Sequence, residues 1–395
     1  MEEVPWSQLP PELLEIISTK LTIYRDYLRF RAVCVSWRSN LPIRPRHQFP
    51  CQLPWLMLPS SNLHTGNINN IRAFFNLSDK NFHRLELPEA RFRRCCGSSY
   101  GWLVLLEESP MMYLLNLLTR QQFQLPSLTT FPNVIDFNVS KVGKEYVLVN
   151  QINGDNYTRN LKEMRNVFIQ KVVLSSSPLD GDFIVVAILN ETGELAFFKN
   201  GSNCWSMIDG ARNYAEDVVY YNGLFYAVSR RGAVAVLDLG GDFPAVVTVI
   251  PPTPLCGGDI LYLVVSYGEL FLVNRYLNLE DDIEPNLIYV TVGFSVFKLD
   301  TSGLIWAPVE SLGDRMFFLG GNSSLCLYAS HYHGVKGNCI YFTDDYVEAN
   351  DDGARGNHDV GVFRLDDGGI DSLLCWSGHS QLVSPPHIWV TPNPC

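Results

Sequence analysis

Paired carboxylates are the side chains in this 395-residue sequence best suited to chemistry: Glu280 with Asp281 and Asp282, Asp344 with Asp345, Asp351 with Asp352, and Asp366 with Asp367. Two carboxylates converging on a pocket can cleave a glycosidic bond, and a cluster of them can hold a hard cation. Each of these clusters reads as part of a loop near Gly, Asn or Pro, where charge stays solvated. His331 and His333 would share one face of a strand, with Cys326 and Cys339 nearby in sequence. A zinc site wants a tighter ligand pattern, so no metal and no cofactor is expected. Cys95 and Cys96 read as strand residues, one facing in and one out, without a redox role. The phosphate-cradling G-x-x-x-x-G-K-[ST] and the zinc-binding H-E-x-x-H are both absent from the sequence. The expectation is a protein that binds without catalysis. The alternative is an enzyme hydrolysing a glycoside or lactone.

Two kinds of element must position these residues. The first 40 residues have a helical pattern. Ser7 can cap a helix whose first turn holds Pro10, Pro11 and Glu12. Leu9, Leu13, Ile16, Ile17 and Leu21 follow at helical spacing, and Tyr27, Phe30, Cys34 and Trp37 form a second such row. Three short helices cannot enclose all of these side chains, so some must face a partner or the next domain. Residues 41–54 carry Pro42, Pro45, Pro50 and Pro54 and read as a stiff connector.

From residue 55 onward, short apolar runs alternate with turn residues. A glycine precedes an apolar strand at Gly181, Gly223, Gly268 and Gly337, and apolar strands end in Asp or Asn at Asn116, Asn200, Asp238, Asp300 and Asp366. Strands in fours at intervals of about 40–50 residues mark propeller blades. The expected fold is therefore a small all-α module of three short helices followed by an all-β propeller. Blade cores fall at 92–126, 171–208, 217–250, 260–310 and 315–376, and a further blade joins Trp55–Leu87 to the strand around Pro386–Thr391. That makes six blades, with the terminal strands closing the ring. Residues 134–150 are an insertion or, alternatively, strands of a seventh blade. Two stacked β-sandwiches fit the regular spacing less well.

The helical stretch resembles the F-box family. The match runs Leu9-Pro10-x-Glu12-Leu13-Leu14-x-x-Ile17-x-x-x-Leu21, then Asp26-x-Leu28, then Val33-Cys34-x-x-Trp37, with one extra residue in the link after Leu21. The remainder resembles the plant F-box-associated propeller of the KIB type. That resemblance rests on Lys171-Val-Val-Leu-Ser-Ser, Pro251-Pro-Thr-Pro-Leu-Cys-Gly-Gly-Asp, Ser311-Leu-Gly-Asp-Arg-Met-Phe-Phe-Leu-Gly and Lys336-Gly-Asn-Cys-Ile-Tyr-Phe-Thr-Asp-Asp. It implies residues 1–40 as F-box, 41–54 as connector and 55–395 as propeller. It further implies the substrate-recognition subunit of an E3 ubiquitin ligase. Its partners would be a Skp-type adaptor, through it a cullin and a RING subunit, and a target protein. Leu9, Pro10, Leu13, Ile17, Leu21, Leu28, Val33 and Trp37 are carried over as the adaptor-facing or module-core set, while Leu14 and Ile16 could belong to either. An F-box protein that assembles without ubiquitin transfer is a further alternative.

Charge narrows the partners. The net charge is −11, yet residues 1–50 hold seven Lys/Arg against five Asp/Glu. The acidic remainder repels phosphate backbones, so nucleic acid is not expected. No apolar run approaches a bilayer span, and the opening Met-Glu-Glu-Val-Pro has neither the basic start nor the apolar stretch of a signal peptide. Ten cysteines without a C-x-x-C pair suit a reducing compartment, so the expected location is cytoplasm or nucleus. Two acidic stretches, Glu280, Asp281, Asp282, Glu284 and Glu348, Asp351, Asp352, are candidate contacts for a basic patch on the target.

Overall fold

The structure is a computed structural model. It describes residues 6–43, 45, 49–58, 70–150, 153–190, 193–241, 244–253, 257–280, 288–345, 359–373 and 387–394. Three helices open it: α1 (Pro11–Ser18), α2 (Tyr24–Arg31) and α3 (Val35–Asn40). Ser7 does not cap α1. It lies in a preceding 3-10 turn, Trp6–Gln8, and Pro10 occupies the N-cap position with no side-chain bond. A proline at the first helical position needs no acceptor, so Pro11 removes one of the donors a cap would serve.

The helices close over a small core of Leu14, Tyr24, Tyr27, Trp37, Leu41 and Phe49. Two of these come from the proline-rich stretch, which is built into the module. The Tyr27 hydroxyl donates to Pro42 O at 2.5 Å and the Tyr24 hydroxyl to Ile43 O at 3.0 Å. Arg31 Nε donates to Leu41 O at 2.8 Å. Leu118, from the turn after strand Met112–Asn116, also packs on this core. The proline-rich segment thus acts as a buttress between helices and sheets.

Seven sheets follow among the described residues. Sheet 1 orders its strands Ile388–Val390, Trp55–Met57, Ile71–Asn76 and Asn81–Glu86. Sheet 2 spans Arg94–Ser99 to Gln122–Leu125, sheet 4 Ile169–Leu174 to Ser206–Met207, sheet 5 Asp217–Tyr221 to Ala245–Ile250, and sheet 6 Ile260–Ser266 to Ile305–Val309. These four are antiparallel meanders of four strands. Asn222-Gly223, with φ of 55° and 87°, joins the first two strands of sheet 5 in two residues. Such turns need left-handed backbone at both positions, and this explains the glycine that precedes a strand there.

Two sheets depart from the expected four strands. Sheet 3, from Val134–Phe137 to Asn156–Arg159, has three. Sheet 7, from Arg315–Leu319 to Ile370–Ser372, has five, with Arg315–Leu319 parallel to Cys339–Phe342. A parallel pair cannot be joined by a hairpin. The chain makes the return through strand Leu325–Tyr328, which adds itself on the far side of Arg315–Leu319, and the turn that follows.

Separate apolar cores join sheets 1 and 2, sheets 4 and 5, sheets 5 and 6, and sheets 6 and 7. Another joins sheet 7 back to sheet 1 through Phe318, Tyr341, Leu56 and Trp389. The core between sheets 2 and 4 also takes in Tyr146 and Leu148 of sheet 3. Sheets 2 and 4 nonetheless meet directly. A Cβ on Gly97 would collide with Val172 O, and Arg94 donates to Ile169 O at 2.6 Å. Sheet 3 is therefore not interposed between those strands.

Candidate interaction faces

Helix α1 turns its periodic apolar positions outward, whereas the second row, Tyr27, Phe30, Cys34 and Trp37, faces the module core. Leu13, Ile16 and Ile17 share one face of α1 by their spacing and are 45%, 56% and 37% exposed. Val33 and Val35, which flank the N-cap of α3, are more exposed still, and so is Trp6. The apolar side chain that α1 buries is Leu14, outside the row picked from spacing.

This divides the resemblance set. Pro10, Leu13, Ile17 and Val33 are exposed, whereas Leu9, Leu21 and Leu28 are partly buried against the module core. Trp37 faces inward. It is buried, its Nε1 donates to Trp6 O at 2.9 Å, and its ring lies 4.5 Å from that of Phe30. The indole holds helices together and offers no surface to a partner. Of the two undecided residues, Leu14 belongs to the core and Ile16 to the surface.

The acidic candidates are placed differently. Glu280 ends strand Glu269–Glu280, with its side chain outside the described residues. Asp281, Asp282, Glu284, Glu348, Asp351 and Asp352 also lie outside them. What is described is the base from which these stretches leave. There Arg275, fully buried, donates to Asp345 at 2.8 Å, Asp359 at 2.7 Å, Thr343 O at 2.8 Å, the Tyr262 hydroxyl at 3.0 Å and Thr291 Oγ1 at 2.8 Å. Its guanidinium lies over the Phe342 ring at 4.7 Å. Burial alone would disfavour the cation, but Tyr262, Asp345 and Asp359 outweigh it and hold the charge on Arg275. Asp345 and Asp359 bracket residues 346–358, so one arginine fixes both ends of that stretch.

Several sequence readings need correction here. Asp344 and Asp345 are not solvated loop acids. Burial raises Asp344 to about 7, only partly countered by Arg275, and Asp345 is raised by the same cause. His331 lies in a 3-10 turn and both histidines are exposed, so they do not share a strand face. No group of His, Cys, Asp and Glu fit for a metal occurs among the described residues. Cys95 and Cys96 do face opposite ways, but both faces are covered. Burial pushes the two thiols up to about 11 and about 12.

Sequence reasoning also missed three things. Lys171 Nζ meets Asp217 Oδ1 at 2.6 Å, almost without exposure, and donates to Gly320 O at 3.0 Å. Asp217 Oδ2 accepts from Leu263 N and Ser324 Oγ, each at 3.0 Å, so one ion pair ties sheets 4, 5, 6 and 7 at their inner edges. A lysine inside the apolar run Ile169–Leu174 was the available signal. Arg275, in an equally apolar strand, was the second. Third, Gly97-Ser98-Ser99-Tyr100-Gly101 has the G-x-S-x-G spacing of a nucleophile turn. The structure makes it strand–turn–strand, not strand–turn–helix. Ser99 Oγ contacts Ser323 Oγ and Leu174 N, with no histidine partner.

Comparison with known proteins matches this arrangement to a family. A profile of the KIB1-4 beta-propeller matches residues 74–364. Among curated proteins, the chain is 29% identical to F-box protein SKIP23 of Arabidopsis thaliana, covering 98% of this chain and 96% of that one. A putative F-box protein of the same plant is 29% identical, covering 94% of each chain. A third Arabidopsis thaliana F-box protein is 26% identical, with 98% of this chain and 95% of that one covered.

Proposed function

The chain belongs to the plant F-box proteins with the KIB1-4 beta-propeller, and from that membership we propose that it is the substrate-recognition subunit of a Skp/cullin/F-box ubiquitin ligase. Residues 1–40 dock on the Skp-type adaptor, 41–54 buttress them, and 55–395 form the propeller that holds a target protein. Six sheets act as blades, sheet 3 is an insertion beside the second, and strand Ile388–Val390 closes the ring by pairing with Trp55–Met57. The observation that carries the adaptor reading is Leu13, Ile16 and Ile17 standing exposed on a helix whose module already has a core. Burying one such side chain fully contributes ~1.5–3 kcal/mol. Catalysis in this reading is the ligase's, reached by holding target lysines near the charged enzyme at high local concentration.

Calorimetry of the full chain with purified Skp-type adaptor tests it. Leu13→Ala with Ile17→Ala is expected to weaken binding at least tenfold, about 1.4 kcal/mol. Unchanged affinity would overturn the interface. Target half-life that ignores cullin inhibition would point to assembly without ubiquitin transfer, and turnover of a glycoside or lactone by the purified chain would point to the enzyme. On the target side, we assign Glu280, Asp281, Asp282, Glu284, Glu348, Asp351 and Asp352 to attraction of a basic patch. Replacing them with Asn and Gln should slow association at low salt and leave adaptor binding alone.

A further inference from the structure

Arg91, Arg93 and Arg94 surround Phe92 at the start of strand Arg94–Ser99, and Arg165 joins them from the helical turn Met164–Phe168. Two of the four are matched by carboxylates. Arg93 Nε donates to Glu107 Oε1 at 2.8 Å, and Arg165 Nη1 meets Glu108 Oε2 at 2.8 Å. Arg91 and Arg94 have no carboxylate partner among the described residues. Arg94 is held by backbone alone, donating to Ile169 O at 2.6 Å. Burial disfavours its cation, and repulsion from Arg165 adds to that. In a chain of net charge −11 this local surplus of positive charge is an exception. An anion brought to it would relieve the repulsion.

Phe92 stands in the middle of this charge. It is 73% exposed, more than any other phenylalanine among the described residues, and neither core beside sheet 2 includes it. Its φ is 56°. A bulky side chain in left-handed backbone is a steric outlier, so its surroundings must hold it there. Arg165 Nη1 does so by donating to Phe92 O at 3.2 Å, and the Arg91 guanidinium lies 4.4 Å from the ring centroid. The fold thus keeps an aromatic ring and an unpaired guanidinium side by side at the surface, at a local backbone cost. The face lies at the Arg94–Leu106–Met112 end of sheet 2, whereas Leu118, which meets the helices, follows Asn116 at the other end.

We propose that this face binds an acidic peptide segment of the target protein, with a carboxylate on Arg91 and an adjoining aliphatic or aromatic side chain on Phe92. A guanidinium fork matches a carboxylate in two parallel bonds, and Phe92 supplies the apolar contact that a bare anion would not use. A nucleic acid or an anionic membrane fits less well, because the acidic remainder of the chain repels an extended array of phosphates. That the segment belongs to the target rests on the ligase reading, whereas the chemistry of the face does not.

The test uses the full chain and a fluorescein-labelled peptide, Gly-Glu-Asp-Leu-Glu-Phe-Asp-Glu-Gly, followed by fluorescence anisotropy at low salt. Saturable binding is expected, at least tenfold tighter than for the same peptide with Gln and Asn in place of its acids. Arg91→Glu should weaken the acidic peptide at least tenfold. Phe92→Gly should weaken it several-fold without lowering the melting temperature, since glycine adopts this φ freely. Loss of stability there would make the ring a structural element. Comparison of the two peptides needs no variant to fold. Absence of binding, equal affinity for the two peptides, insensitivity to Arg91→Glu, a destabilised Phe92→Gly chain, or tighter Arg91-dependent binding of an oligothymidylate or of phosphatidylserine vesicles would each overturn the proposal. Adaptor calorimetry on the same preparation succeeds or fails independently, so a missing peptide contact and a mistaken ligase reading are told apart.

Discussion

The helical module and the sheet body use apolar side chains in opposite ways. In α1 the periodic apolar row faces water and an off-row leucine makes the core. In the sheets the apolar rows are inside, and buried positions even admit Lys171, Asp217 and Arg275. A helix of eight residues can leave one face exposed because the connector and Leu118 supply core that the helices lack. A sheet packed between two others has no free face, so any charge it carries must be matched internally. Substitution should therefore change binding in the first region and stability in the second.

The largest expected effect comes from removing residues 387–395. Ile388, Trp389 and Val390 are buried and pair with Trp55–Met57. Their loss bares a sheet edge and opens two cores, so aggregation on expression is expected. A soluble truncated chain with an unchanged melting temperature would break the comparison at its strongest point. Next is Asp217→Ala, which strands a buried Lys171 and should lower stability by about 3–5 kcal/mol in urea unfolding. Double replacement of Lys171 and Asp217 by Met and Leu should recover much of that loss, because the penalty comes from the unpaired charge.

A smaller effect belongs to Asp344. Its folded value of about 7 lies above the ordinary 3.8, so the folded chain binds more protons than the unfolded chain between those values. Its contribution is thus unfavourable above about pH 7 and disappears as pH falls toward 4. Asp344→Asn should raise the melting temperature at pH 8 and leave it unchanged near pH 4, with Arg275, Asp345 and Asp359 as the charges around it. The smallest effect is the most diagnostic: Leu13→Ala with Ile17→Ala should hardly move the melting temperature, since neither side chain joins the module core.

Legibility in the sequence followed the same divide. The strand boundaries were readable because glycine turns and apolar runs recur, and the pairing partner of Ile388–Val390 could be named in advance. The strand content of sheet 7 was not. Parallel pairing of Arg315–Leu319 with Cys339–Phe342 leaves no local mark, because it depends on which strand the chain returns beside. Within the helical module, spacing identified the apolar row but not its orientation, since Leu14 and Leu13 are equally apolar. Which of the two faces inward is decided by Trp37, Tyr27 and Phe49, and Phe49 comes from beyond the helices. The ion pairs escaped because pairing of Lys171 with Asp217 or of Arg275 with Asp359 is a fact of three dimensions, whereas adjacent acids such as Asp366 and Asp367 catch the eye in one. Asp367 simply pairs with Arg364 nearby.

The pairing of Trp55–Met57 with Ile388–Val390 also sets a clock for biosynthesis. The two strands are separated by some 330 residues of chain, and ribosomes add about 5–20 residues per second. The edge of Trp55–Met57 that awaits its partner is therefore synthesised on the order of 15–70 seconds before that partner exists. Helices α1 to α3 leave the ribosome earlier still. During that interval the nascent chain carries a ready helical surface beside an unfinished sheet, and Ile388–Val390, made after every other described strand, is the one that completes it.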